Sequence, residues 1–123
     1  MEHWKLIDII PEGLVNLLDF KKITANLRVL ILNLENQSQP IKVEFTNVIA
    51  YRVCLEECVP QLWSNLHSKH IVRSGLWEIG DSNWIKELES NGGLAVYPNT
   101  KHFAFITNDN LVEVLTTEVP SLI

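Results

Sequence analysis

The chain has 123 residues, with 10 Lys and Arg against 15 Asp and Glu, so its formal net charge is −5. This length predicts a single domain over residues 1–123, and an apolar content of 46% excludes a disordered chain. The acidic balance argues against nucleic acid as a partner, because a polyanion is bound by clustered Lys and Arg, and it suits a basic protein partner.

Alternating apolar and polar residues predict about seven strands. Leu14–Phe20 is apolar without a clear period, and we interpret it as a turn of helix or a connecting loop. In chain order the strand candidates are Trp4–Ile10, Ile23–Leu34, Ile41–Phe45, Val48–Val53, Ile71–Ile79, a short edge strand at Leu94–Tyr97, Lys101–Thr107 and Leu111–Thr117.

Three turn signals connect these strands. The polar turn Asn36–Pro40 joins Ile23–Leu34, expected to be a central strand, to Ile41–Phe45 as an antiparallel hairpin. Asn47 predicts a bend at which the chain crosses between two sheets. The residues Asn108–Asn110 all tolerate left-handed backbone, which predicts a second hairpin. After it, Pro120 is expected to end the ordered pattern.

Two short helices complete the prediction. Apolar residues at helical spacing predict a helix over Pro60–Ser68, with the proline in its first turn. Asp81, Ser82 and Asn83 offer N-cap side chains for a second helix that carries Trp84, Ile85 and Leu88 and ends at Asn91–Gly93. The fold class is therefore a β-rich α+β protein, an antiparallel sandwich or partly open barrel with two short helices packed at an edge.

The sequence carries no established catalytic or metal-binding motif. Cys54 and Cys58 lack the spacing of a zinc or redox motif, and His67 and His70 lack a third ligand. Ser74, Ser82, Cys54 and His102 are nucleophile or base candidates that no spacing connects. We therefore expect no enzyme activity, no cofactor and no metal.

Aromatic residues are the other distinctive feature, because tryptophan and tyrosine anchor helices on sheets and also dominate binding surfaces. Both interpretations stay open for Trp63, Trp77 and Trp84. A pair between Arg52 and Glu56 beside them would form a polar cluster under a helix. The predicted binding residues are Tyr51, Glu56, Trp63, Trp77, Glu78 and Asp81.

Scattered pieces of residues 41–120 resemble a group of small bacterial proteins. The pieces are Phe45-x-Asn47-Val48-x-Ala50-Tyr51-Arg52, Gly75-Leu76-Trp77-Glu78 leading to Asp81-Ser82-x-Trp84-Ile85, Lys101-His102-Phe103, and Glu113-Val114-Leu115 with Pro120. In these the chain is similar to single-domain immunity proteins of polymorphic toxin systems. The resemblance implies a β-rich binding module without a cofactor that blocks a toxin, and it assigns no functional residue.

The leading hypothesis is therefore a non-enzymatic module for a protein partner, with a basic toxin as the example. The alternatives are a small-ligand protein or enzyme that uses an interior pocket, and a homodimer sealed by a sheet edge or by the last strand. The N-terminal residues lack the pattern of a signal peptide, and no apolar run approaches the length of a membrane span. We expect a cytoplasmic protein without membrane contact.

Overall fold

A computed structural model describes residues 1–10, 13, 15–33, 39–68 and 74–123. Within these residues the chain forms nine strands and two α-helices, with a 3-10 turn at Glu56–Cys58. The elements are β1 (His3–Ile7), β2 (Val15–Ile23), β3 (Asn26–Asn33), β4 (Ile41–Phe45), β5 (Val48–Leu55), α1 (Pro60–Ser68), β6 (Gly75–Gly80), α2 (Asn83–Ser90), β7 (Lys101–Ile106), β8 (Asn110–Thr116) and β9 (Ser121–Leu122).

The strands form two antiparallel sheets. The five-stranded sheet has the order β1-β6-β7-β8-β5, and the four-stranded sheet has the order β2-β3-β4-β9. In the described residues neither sheet closes into a barrel. The predicted antiparallel α+β sandwich is therefore confirmed. Neither described helix has the length and apolarity that crossing a bilayer requires.

Asn47 marks the point at which the chain leaves one sheet for the other. β4 belongs to the four-stranded sheet and β5 to the five-stranded sheet, with Asn47 between them at φ 50. Asparagine adopts this left-handed conformation more readily than most residues, because its short polar side chain hydrogen-bonds locally. The predicted crossing at Asn47 is confirmed.

Two apolar cores lie on opposite faces of the five-stranded sheet. Side chains such as Val29, Phe45 and Phe103, all fully buried, fill the space between the sheets. On the other face, Leu66 of α1 packs with Trp77 and neighbouring apolar side chains. Because it is covered on both faces, this sheet has almost continuously buried strands at β7 and β8, where a half-exposed sheet would show alternation.

Most predicted elements agree with the structure. α1 spans the predicted residues, and α2 follows the predicted N-cap Ser82, whose side chain accepts the backbone N–H of Ile85. Both predicted hairpins, β3–β4 and β7–β8, are present, and β3 lies centrally between β2 and β4. Most of the predicted polar turn after β3, residues 34–38, lies outside the described residues, as do residues 71–73 before β6.

Three elements differ in type from prediction, and the predicted strand Ile23–Leu34 is divided, since Ile23 ends β2 and β3 begins at Asn26 after a turn. β2 is a strand where we expected a helical turn or loop: the register with β3 shifts between Leu17 and Asp19, and this bulge breaks the two-residue period. The expected edge strand Leu94–Tyr97 is a pair of turns, in which Leu94 has φ 66 and its carbonyl accepts the N–H of Tyr97. After Pro120 the chain forms β9 and pairs with β4.

The crossing at Asn47 provides a test of local backbone strain. Asn47 is exposed, so its replacement removes little packing. We expect Asn47→Val to lower the free energy of unfolding by about 1–2 kcal/mol, because a β-branched residue is disfavoured at this φ, and Asn47→Gly to change it by less than about 1 kcal/mol. Urea denaturation measures both, and equal losses for the two variants would contradict this account.

Candidate functional site

The structure does not bring the six predicted binding residues onto one surface. Trp77 lies in the core, with only 9% of its surface exposed. Trp63 is half-buried on α1, and Tyr51 lies on β5, where its ring meets Phe20 of β2 edge-on at 6.4 Å. Glu56 belongs to the 3-10 turn, but its side chain lies outside the described residues.

Glu78 and Asp81 border a shallow recess of about 290 Å³ beside the first turn of α2. Two cationic groups neutralise the charge of Asp81. Lys86 Nζ lies 2.6 Å from its carboxylate, and the Met1 amino group lies 2.7 Å from it. Hydrogen bonds from these two groups, Lys86 foremost, lower the pKa of Asp81 to about 2. These contacts leave Asp81 paired within the chain.

The positions of the tryptophans distinguish between a core role and a role at a binding surface. Trp77 is a core residue, with Trp4 at 6.5 Å between ring centroids. Trp84 stands edge-on to the imidazole of His102 at 5.4 Å, and the Arg52 guanidinium stacks on its indole at 3.9 Å. Trp63 lines an open recess. The core interpretation therefore holds for Trp77, while the half-buried Trp63 packs against the same core and also lines the recess.

Arg52 finds its carboxylate partner across the sheet. Arg52 and Glu113 are directly opposite in the β5–β8 pair, and Arg52 donates from Nε at 2.7 Å and from Nη2 at 3.1 Å to the two carboxylate oxygens. Such a two-point pair fixes both distance and orientation. The predicted polar cluster under a helix is present, but the described partner of Arg52 is Glu113.

His102 extends this pair into a buried chain of hydrogen bonds. Its Nε2 lies 2.9 Å from Glu113 Oε1, and its Nδ1 lies 2.7 Å from Ser82 Oγ. Since an ionised carboxylate only accepts, Nε2 donates to Glu113, and Nδ1 shares a second hydrogen bond with the Ser82 hydroxyl. Ser82 Oγ in turn accepts the N–H of Ile85 at 3.2 Å and so caps α2.

Ser82, His102 and Glu113 form a chain of hydrogen bonds that has the composition of a hydrolytic triad. Here, however, each of the three side chains already has partners within the fold. Ser82 and His102 are 4% and 2% exposed. The Ser82 oxygen caps a helix, and Glu113 is neutralised by Arg52. We assign this network the role of holding the first turn of α2 against β7 and β8.

The charge of Glu113 depends on its partners. Burial alone would raise the pKa of its carboxyl, but hydrogen bonds and charge from His102 and Arg52 outweigh burial and hold the pKa below its usual range. Glu113 is therefore ionised in the folded protein at neutral pH. Its carboxylate stabilises the fold only while ionised.

A second polar site lies where β5, α1 and the β7–β8 hairpin meet. We call it the Trp63 recess; it has a volume of about 510 Å³ and is lined by Leu55, Glu57, Pro60, Trp63 and Asp109. Glu57 and Asp109 are exposed, and neither Lys nor Arg is among its described lining residues. The indole N–H of Trp63 is buried without a hydrogen-bond partner in the described structure.

A buried N–H without an acceptor is costly to the fold, and this one is closed to solvent. Apart from this N–H, the Trp63 recess combines an apolar floor with two carboxylates. Among the predicted residues whose side chains the structure describes, Trp63 alone lines it. Glu57 and Asp109 were missed, because the β7–β8 turn and the start of α1 are far apart in the sequence.

The cysteines and histidines form no metal centre in the described part of the chain, where no group of three or more His, Cys, Asp or Glu side chains could hold an ion. Cys54 and Cys58 are free thiols. Burial, followed by the charge of Glu113, raises the pKa of the Cys54 thiol and makes it a poor nucleophile. His70 lies outside the described residues.

The chain was compared with protein-family models, curated proteins and solved structures, and none of the three comparisons gives a match.

The buried network predicts an acid dependence of stability. The pKa of Glu113 is lower in the folded than in the unfolded chain, so its stabilisation is complete above the unfolded pKa of roughly 4.3 and is lost as pH falls through the folded pKa. Glu113→Gln should lower the free energy of unfolding by about 1–3 kcal/mol at neutral pH and flatten this acid dependence. Urea denaturation at neutral pH and at pH values below the unfolded pKa of roughly 4.3 measures both.

A matched control is Glu44→Gln. Glu44 also pairs with an arginine, Arg28 at 3.4 Å, but on the more exposed four-stranded sheet. We expect it to cost less than about 1 kcal/mol. An equal effect of the two substitutions would contradict the special role of the buried network.

Trp77 tests the core assignment. Trp77→Ala should lower the free energy of unfolding by about 3–5 kcal/mol, because it leaves a cavity under α1. Tyr51→Ala, at the exposed edge of the sandwich, should cost about 1 kcal/mol. Thermal unfolding followed by circular dichroism compares the two, and a fully stable Trp77→Ala variant would contradict the assignment.

Proposed function

We propose that the chain is a non-enzymatic protein-binding module that receives a basic side chain of its partner in the Trp63 recess. The observation that carries the proposal is the recess itself, in which two exposed carboxylates lie beside the indole of Trp63. The buried Ser82–His102–Glu113 network supports a non-enzymatic role, since its polar atoms are used within the fold.

Lysine or arginine fits the chemistry of the Trp63 recess. Its aliphatic stem would lie on Leu55, Pro60 and the Trp63 ring, while its charge would approach Glu57 and Asp109. A cation over an indole contributes about 0.5–2 kcal/mol.

The partner we propose is a basic toxin that the module blocks, in the manner of bacterial immunity proteins and in the cytoplasm. The net charge of −5 supports this choice, because it speeds association with a basic protein. The resemblance of residues 41–120 to immunity proteins points the same way.

The alternative, a small ligand held inside the sandwich, has less support. It requires an apolar cavity between the sheets. There the described residues bring together fully buried side chains, among them Leu27, Ile31, Phe45, Phe103 and Phe105. These observations favour the surface recess over the interior as the binding site.

The proposal is tested with an arginine-rich peptide as the probe, followed by the products of the genes that flank this one. In a nitrogen–proton correlation spectrum, the Trp63 indole signal should shift on titration with the peptide. Glu57→Gln and Asp109→Asn should each weaken binding about 3–10-fold, as expected for a single charge at a binding site. Added salt should weaken binding further.

Glu118→Gln is the control, because it removes the same charge from an exposed residue outside the Trp63 recess. It should leave the affinity unchanged. If the Trp63 signal does not respond to the peptide or to any flanking gene product, or if Glu118→Gln weakens binding as much as Glu57→Gln, the recess is not the binding site.

A further inference from the structure

β2 presents a long open edge with exposed apolar side chains. It is the outer strand of the four-stranded sheet as described, and its residues 18–22 are all exposed. Leu18 is 47% and Phe20 39% exposed, and Phe20 meets Tyr51, itself 38% exposed, on the adjacent edge strand β5. Exposed apolar side chains on an edge strand are typical of a surface that pairs with another strand.

The backbone of β2 shows which groups face this open edge. Ile23 and Asn26 are paired across a two-residue turn, so Ile23, Lys21 and Asp19 direct their backbone groups toward β3. The N–H of Phe20 instead donates to the carboxylate of Asp19 at 2.9 Å. The backbone groups of Phe20, and by alternation those of Lys22, therefore point away from β3.

We propose that β2 pairs antiparallel with β2 of a second copy of this chain, about a twofold axis through Phe20. This register places Phe20 opposite Phe20 of the second copy, so that the outward N–H and carbonyl of each bond the other. It also places Asp19 opposite Lys21 of the second copy, twice by symmetry. The two sheets join into one continuous sheet.

Charge complementarity favours β2 of a second copy as the partner strand and favours this register. Directly opposed side chains on paired strands attract when their charges differ and repel when they match. An axis through Lys21 would oppose two lysines, whereas the axis through Phe20 pairs each with an aspartate. The exposed Lys21 and Lys22 also disfavour strands that offer no carboxylate. In the dimer Asp19 exchanges the Phe20 N–H for Lys21 of the second copy.

Sedimentation equilibrium of charge variants tests the register. The unaltered chain should form dimers at protein concentrations below about 0.5 mM. Asp19→Lys and Lys21→Asp each place like charges opposite one another and should raise the dimer dissociation constant about tenfold or more. The double variant D19K/K21D restores opposite charges and should restore the dimer.

Glu118→Lys, an identical charge change at an exposed residue outside β2, should leave the dimer intact. Circular dichroism verifies that each variant is folded. A monomer at all concentrations overturns the proposal. So does a dimer that Asp19→Lys leaves unaffected, or a double variant that stays as weak as the single ones. None of these results depends on the Trp63 recess.

Discussion

A single carboxylate inside an apolar strand determines how the helical side of this fold is arranged. Glu113 lies in β8 between apolar neighbours and is 5% exposed. A buried carboxylate is tolerated only when its charge and lone pairs are matched. Arg52 supplies the charge and His102 a further hydrogen bond. His102 also forms a hydrogen bond with Ser82, so the same network fixes the position of α2.

The Ser82–His102–Glu113 network and the Trp63 recess occupy different parts of the outer face of the five-stranded sheet. At the α2 end, polar atoms are matched among themselves, and Trp84 lies between His102 and the Arg52 guanidinium. At the α1 end, apolar packing through Leu66 and Trp77 holds the helix, and the buried indole N–H of Trp63 has no acceptor in the described structure. The α2 end is therefore held by paired polar groups, and the α1 end by apolar packing.

The sequence predicted those parts of the fold that depend only on the types of neighbouring residues. The N-cap at Ser82 and the turn residues 108–110 each satisfy their own backbone, so their positions follow from residue type. β2 could not be predicted, because the bulge at Leu18 disrupts the pattern on which strand prediction depends. Leu94–Tyr97 contains strand-forming residues, but its backbone bonds are made within turns.

The site was predictable only in part, for a related reason. Ser82, His102 and Arg52 were each noticed, yet their contacts depend on strand order, which alternation does not specify. One signal was available: Glu113 interrupts an otherwise apolar β8, and such a residue needs a cationic or hydrogen-bonding neighbour. Trp63 was identified by residue type, whereas its carboxylate neighbours became visible only from the fold.

The pairing of β1 with β6 has a consequence for how the protein is made. His3 pairs with Gly80, so β1 leaves the ribosome long before the strand that it joins has been synthesised. Trp4 and Leu6, which pack against the core through that pairing, meanwhile have no sheet to join. Closing so long a loop is entropically costly and slows folding. The five-stranded sheet is therefore completed late, after translation has passed its middle strands, and the nascent N-terminal segment is the part that needs protection from aggregation.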